Sequence, residues 1–250
     1  MITNPVKTKK IRSVFTVKNK KHLSPHLIRV IFEISEDQAA LLSHVQCGSN
    51  NKIFIPPPEE GSQPLVRTYT NRKVDLENRE LIIDFVAHGD NGPASAWALK
   101  AQAGDILEIG MKESTRALIP DADFYLFAGD ATALPVISSI VEQLPSYVTA
   151  KVILEVHEKE DELILCSAAD ISIEWLHNPR PEKGSRLADV VRNTQFPPGI
   201  LKEYIYVAAE YTTVRDLRQY FKTQLLWDPH GMYICSYWKA GQSEDEHSGN

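Results

Sequence analysis

Through the first 120 residues, apolar and polar positions trade places in short runs. "IRSVFTVKN" and "HLIRVIFEI" are rich in β-branched and aromatic residues and predict strands. "KIFIP" predicts a third, closed by Pro56, Pro57 and Pro58, because proline cannot donate to a ladder. "VRTYTNR" and "ELIIDFVAH" follow, separated by "KVDLEN", and "DILEIG" comes after the turn Ala103-Gly104-Asp105. Between these last two strands, "GPASAWALKAQ" predicts a helix with proline near its start. Closely spaced strands with one helix predict a small antiparallel β-barrel.

The pattern changes near residue 121. "DFYLFAGD" is a short apolar strand, and "ATALPVISSIVEQL" has helical spacing of its apolar residues. "AKVILEVH" reads as a buried strand, "RLADVVRNT" as a helix, "EYIYVAAE" as a strand, "TTVRDLRQYFKTQL" as a helix and "GMYICSYW" as a strand. Strands alternating with helices predict a parallel sheet covered on both faces. The expected division is a β-barrel domain over 1–120, an α/β domain over 121–240 and a polar tail over 241–250.

Composition narrows the function classes. The chain has 250 residues, 43% hydrophobic and 24% charged, which suits a globular protein with a real core. No run reaches the length of a membrane helix, and "MITNPVKTKKIRS" lacks the apolar stretch of a secretory signal. Cys47, Cys166 and Cys235 are far apart and form no CxxC, so reduced thiols and a cytoplasmic location are expected. The net charge of −6 argues against nucleic acid as the main partner. GxSxG, P-loop, HExxH and GxGxxG motifs are absent. Pro25 separates His22 from His26, and His44, His157, His177 and His230 lack zinc-ligand spacing, so no protein-bound metal is expected.

Three stretches carry candidate chemistry. In "RTYT", Arg67 offers a permanently charged fork for a phosphate, Tyr69 a flat face for an aromatic ring, and Thr70 a hydroxyl for a ring nitrogen. An exposed arginine, a core tyrosine and a β-former would give the same triplet. In "HGDNGPASAW", Gly92, Pro93, Ala94 and Ser95 open a helix whose free N–H groups suit a pyrophosphate, although a plain turn would look similar. At the strand ends of the α/β domain, where open parallel sheets bind ligands, "LFAGDATALP" places Gly129 at a turn, with Asp130 and Thr132 either bonding a ribose or capping the helix. Glu210, in "VAAEYTTVRDLR", ends another strand and could read a ribose or an amide.

Taken in order, "VRTYTNR", "IDFVAHGDNGPASAWALKAQAGD", "FAGDATALP", "EVHEKED", "AAEYTTVRDLRQYF" and "YWKAG" resemble the siderophore-interacting proteins, from about residue 10 to 241. That family comprises flavin-dependent ferric-siderophore reductases of the ferredoxin-reductase-like superfamily. The resemblance implies a two-domain β plus α/β fold: an antiparallel FAD-binding β-barrel, then a parallel-sheet nucleotide-binding domain. It implies that Arg67, Thr68, Tyr69 and Thr70 hold the flavin, with Arg67 on the phosphates, Tyr69 against the isoalloxazine and Thr70 near N5. It implies that His88, Gly92, Ala94, Ser95 and Trp97 wrap the pyrophosphate and adenosine. Asp130, Thr132, Ala133 and Glu210 would meet NADH or NADPH, and Tyr237 and Trp238 would return toward the flavin, Trp238 serving equally as an interface residue. Ala131 stands where the family often has an acid, and Ala209 where it often has glycine.

The implied activity is reduction of a ferric siderophore through FAD, with Fe(II) released. No long heptad pattern or apolar patch points to a partner chain, so a monomer without membrane insertion is expected. Ferredoxin is an alternative donor. Lys52, Lys112, Arg116 and Lys239 are candidates for docking an anionic chelate. A general flavin or ferric reductase and a non-catalytic siderophore binder are the competing expectations.

Overall fold

A computed structural model describes residues 9–57, 63–89, 92–114, 117–199 and 202–242. The chain divides into two compact units. One comprises Met1–His22 and Leu27–Leu118, the other Leu23–His26 and Ile119–Asn250.

The first unit is a curled antiparallel half-barrel. Its strands are β1 (Lys10–Ser24), β2 (Leu27–Glu33), β3 (Asn50–Ile55), β4 (Leu65–Thr70), β5 (Lys73–Asp75), β6 (Glu80–Val86) and β7 (Ile106–Lys112), in the order β4-β3-β7-β1-β2-β6-β5. Alternation turns one face of each strand inward. Phe15, Ile28, Phe32, Ile53, Leu81, Ile83, Phe85, Leu107 and Ile109 are almost fully buried there. Helix α1 (Glu36–Leu42) was not expected from the apolar pattern. Its signal is the capping box, in which Gln38 N donates to Ser35 Oγ and Ser35 N donates to Gln38 Oε1. Helix α2 (Pro93–Lys100) starts after Gly92 as expected, with Ala94 and Ala98 against the core.

The second unit is a five-stranded parallel sheet. Its strands are β8 (Phe124–Asp130), β9 (Thr149–Val156), β10 (Asp170–His177), β11 (Glu203–Glu210) and β12 (Met232–Trp238), ordered β10-β9-β8-β11-β12. The strand order therefore reverses between β8 and β11. Strand β10 escaped the hydrophobic pattern because it is an edge strand whose residues are at most half-buried. Helices α4 (Leu187–Arg192) and α5 (Tyr211–Gln219) cover the face bearing Phe124, Leu126, Ile205 and Val207, with Leu187, Val191, Val214 and Leu217 between the layers. Helix α3 (Leu134–Val141) meets β8 at Gly129, on the opposite side of that strand by the two-residue alternation. A Cβ on Gly129 would lie 2.6 Å from Ala133 Cβ and 2.8 Å from Ile137 Cδ1. Close helix–strand approach, rather than the tight turn expected from sequence, is what glycine serves here.

Candidate functional site

In the first unit the site is built on β4. Alternation puts Arg67 and Tyr69 on one face, and Thr68 and Thr70 on the other. Register places Asn51 of β3 opposite Tyr69, and Ile53 opposite Arg67. Arg67 is half-buried and its Nη1 donates to Val66 O at 2.8 Å. The Tyr69 ring leans on Phe85, with centroids 4.6 Å apart and planes at 37°. Phe85 also touches Trp97 of α2, at 5.7 Å. One buried phenylalanine thus joins the "RTYT" and "GPASAW" motifs. Trp97 stacks further on Phe32, at 6.2 Å, so the ring expected beside an adenosine has core neighbours on this unit's apolar side.

Polar residues that the sequence reading overlooked brace β4. Asn51 Nδ2 donates to Asn71 Oδ1 at 2.8 Å, and Asn71 Nδ2 donates to Ser49 Oγ at 3.0 Å. Asn51 Oδ1 is buried without a hydrogen-bond partner. An orphaned acceptor on the strand position facing Tyr69 fits a site completed by a polar ligand. Asp84 accepts from Arg29 Nε and Nη2, both at 2.7 Å, and lies 3.8 Å from Arg72 Nε. Charged residues inside "HLIRVIF" and "LIIDFVA" were the available signal.

The segment before α2 is folded on itself. His88 N donates to Ser95 Oγ at 3.1 Å, and that hydroxyl donates to Gly89 O at 2.8 Å. Ser95 is fully buried, so its hydroxyl closes the loop where the sequence reading offered it to a phosphate. A Cβ at Gly92 would sit 2.3 Å from His88 Cε1. Glycine therefore lets the exposed imidazole lie over the helix start. Asp90 and Asn91 lie outside the described residues. An arginine fork, a flat ring on the same strand face, an unmet acceptor opposite that ring and a glycine-opened helix start fit a flavin dinucleotide.

In the second unit, the carboxylates expected at a nicotinamide nucleotide have protein donors. Asp130 Oδ1 accepts from Thr132 N and Thr132 Oγ1. Its Oδ2 accepts from Glu210 N at 2.9 Å and Trp238 Nε1 at 2.7 Å. Burial pushes the Asp130 carboxyl up, and these donors oppose that push. Glu210 caps α5 by accepting from Thr212 N, and its other oxygen accepts from Ala240 N at 3.3 Å. Glu210 itself is therefore the N-cap of α5. Ala133 is buried at the start of α3. Ala209 is buried within the cluster covered by α4 and α5. Tyr237 pairs its hydroxyl with Tyr206 at 3.0 Å, and burial pushes the Tyr237 phenol up to about 12.

Of the candidate docking residues, Lys52 and Lys112 are exposed in the first unit. Lys52 pairs in register with Gly110 of β7, so Lys112, two residues on, shares its outer face. Lys52 Nζ also meets Thr68 Oγ1. Lys239, in the second unit, lies 4.9 Å from the Tyr211 ring centroid. Arg116 lies outside the described residues. The histidine spacing gave no hint that His26, Glu158 and Asp161 gather in the second unit, with ligand-type atoms within 4.8 Å of one another. Within that cluster Asp161 accepts from Ser24 Oγ, His26 N, His26 Nδ1 and Glu158 N.

Comparison with known proteins agrees with this architecture. Residues 37–112 match the siderophore-interacting FAD-binding domain, and residues 122–241 match the siderophore-interacting protein family. The chain is 31% identical to ferric vibriobactin reductase ViuB of Vibrio cholerae, over 90% of this chain and 89% of that one. It is 29% identical to the ferric acinetobactin reductase of Acinetobacter baumannii, over 78% and 68%. The crystal structure of the siderophore-interacting protein SipS from Aeromonas hydrophila superposes with a TM-score of 0.82 at 29% identity, covering 95% of each chain. A curled antiparallel half-barrel, a parallel α/β unit and these matches together establish that the chain belongs to the siderophore-interacting protein family, FAD-binding proteins of the ferredoxin-reductase-like superfamily.

Proposed function

We propose that this protein reduces Fe(III) held by a siderophore, drawing electrons from NADH, NADPH or ferredoxin through FAD, and so frees iron as Fe(II) in the cytoplasm. The observation that carries this reading is the face of β4 that Arg67 and Tyr69 share, with the unpartnered Asn51 Oδ1 on the position opposite Tyr69. FAD supplies the conversion between a two-electron donor and a one-electron acceptor when it is bound.

The chain's own residues bind and orient. Arg67 neutralises the diphosphate with a planar fork. Tyr69, held by Phe85, offers its ring to the isoalloxazine. Thr70 places a hydroxyl at the reactive edge, and the first N–H groups of α2 receive phosphate oxygens. Residues 1–120 would form the flavin domain and 121–240 the donor domain, in a monomer. Lys52 and Lys112 on the first unit would draw in an anionic chelate; Lys239 is the separate candidate on the second unit. Siderophore oxygens are hard ligands that favour Fe(III). Lowering the metal's charge weakens its hold, so no protein ligand to iron is required.

The test is anaerobic. Purified protein should carry FAD, and NADH, NADPH or reduced ferredoxin should bleach its visible bands. Adding a ferric siderophore with a colorimetric Fe(II) trap should restore the bands and colour the trap. Protein that neither holds nor takes up FAD overturns the reading. Bleaching that a ferric siderophore fails to reverse, while ferric citrate or free flavin does, assigns a general reductase instead.

A further inference from the structure

Strand β10 ends the second sheet, with β9 on one side and no strand on the other. Its pairing with β9 is parallel and unbroken from Asp170 to His177. Asp170 N donates to Val148 O, and Asn178 N, just past the strand, donates to Val156 O. Even-numbered residues of β10 therefore bond β9. The backbone N–H and C=O groups of Ile171, Ile173, Trp175 and His177 point away from it, and among the described residues nothing pairs with them.

An open edge is a template for another strand, and proteins commonly blunt it with proline, lysine, a bulge or a cover. "DISIEWLH" has no proline and no lysine, and its register has no bulge. Its central charge, Glu174, is met by Lys151 of β9 at 2.8 Å. On the face that α4 partly covers, Ser172 and Glu174 line a hollow of about 540 Å³ with Phe124, Lys151, Asn193 and Thr194. An incoming strand thus has room for its side chains there. Ile171, Ile173 and Trp175 share the other face and are half-buried.

The strand is complementary to a second copy of itself. In an antiparallel pair about a two-fold axis, residue i facing j is repeated as j facing i. Centred on Ile173, the pair sets Ile173 opposite its own counterpart and Ile171 opposite Trp175. These are the outward-bonding positions, so each such pair exchanges both backbone hydrogen bonds. β-Branched and aromatic side chains then meet along one face. On the other face Ser172 meets Glu174 and Asp170 meets Leu176, with no like charges opposed. Centring on Glu174 would set two carboxylates against each other, so the charges select one register.

We infer that β10 is a dimerisation edge, on which a second copy of this chain adds its own β10 antiparallel, centred on Ile173, to make one continuous sheet from two. Association of this kind needs neither a heptad pattern nor an apolar patch, the two signals missing from the sequence. None of the proposed flavin, nucleotide or chelate residues lies on β10, so one chain remains the catalytic unit.

The test is sedimentation velocity of the FAD-loaded full-length protein from low to high micromolar concentration. Wild type should pass from the mass of one chain to twice that mass. Ile173→Pro removes an outward N–H and no bond to β9. Ile173→Lys sets two ammonium groups opposite each other at the centre of the pair. Each should raise the dissociation constant about tenfold or more, with FAD content unchanged. Leu226→Lys, at a side chain 81% exposed elsewhere in the second unit, should leave the pair intact. Ile173→Lys keeps the test decisive if the proline variant does not fold. Variants at Ile173 that pair as tightly as wild type, or a Leu226→Lys protein that loses the pair to the same degree, overturn the proposal. So does wild type that stays a single chain throughout, which leaves the edge to an extended segment of another protein.

Discussion

Arg29 holds Asp84 through two parallel bonds, Nε to Oδ1 and Nη2 to Oδ2, both 2.7 Å long. The two residues face each other in register across β2 and β6. Asp84 is 3% exposed, so its charge depends on this fork and on Arg72 nearby. Arg72, which lies 3.8 Å from Asp84, follows the end of β4 by two residues.

Arg29→Ala should leave a buried carboxylate with only Arg72 to face it. Loss of one partner of a buried pair costs about 3–5 kcal/mol. Urea denaturation should show a lower midpoint with an unchanged m-value, the shift multiplied by m giving a loss of that size. The double variant Arg29→Met with Asp84→Leu should recover most of the loss. Failure to recover would mean that the pair does more than neutralise itself.

Gly129→Ala should be destabilising for steric reasons. The new methyl group meets Ala133 Cβ and Ile137 Cδ1 at under 3 Å, both in or beside a buried helix. Overpacking of this kind costs about 1–3 kcal/mol. Ile137→Val in the same chain opens space at one of the two contacts and should return part of the stability in a thermal melt.

The sequence disclosed the long elements because their periodicity is strong. β1, β2, β6 and β8 alternate or run apolar, and "TTVRDLRQYF" has a helical stripe that buries Val214 and Leu217. It concealed β10, whose edge position relaxes the need for apolar residues, and β5, which has three residues inside a polar connection. At the site, strand alternation revealed that Arg67 and Tyr69 share a face. Hydrogen-bond saturation was invisible: a string of letters cannot tell that Asp130 and Ser95 are satisfied by atoms from other elements. Trp238 reaching Asp130 is a contact across 108 positions, and it depends on a bulge that no local pattern announces.

Arg67→Ala should weaken FAD retention. A charged hydrogen bond to phosphate is worth about 1.5–3 kcal/mol, which corresponds to roughly ten- to a hundredfold in affinity. Equilibrium dialysis of reconstituted protein reads this directly. Arg67→Lys should recover only part of it, because a point charge replaces a fork.

Lys52→Ala combined with Lys112→Ala should raise the KM for an anionic ferric chelate several-fold and leave FAD content intact, with the difference shrinking as salt is added. Initial rates at two ionic strengths check both parts. Identical KM values in wild type and double variant would remove the outer face of β3 and β7 from docking.

Asp161 carries a pH signature. Burial would raise its carboxyl, but hydrogen bonds from Ser24 Oγ, His26 N and the His26 ring outweigh burial and hold it below the usual range. A carboxyl lowered on folding stabilises above its unfolded value, near 4, and that contribution disappears as pH falls through the lowered folded value. Wild-type stability should therefore drop with acid in that window, and Asp161→Asn should show a flatter profile. Denaturation midpoints from pH 7 down to pH 3 test the difference.

Those same bonds have a consequence for dissection of the molecule. Ser24 and His26 belong to the hairpin tip that groups with the second unit, although β1 up to His22 and all of β2 belong to the first. The second unit is thus discontinuous along the chain. A fragment beginning at residue 119 leaves behind the Ser24 hydroxyl, the His26 amide and the His26 ring that satisfy Asp161. No single cut yields both units whole, and a swap of the α/β half between relatives must carry the four residues Leu23–His26 with it.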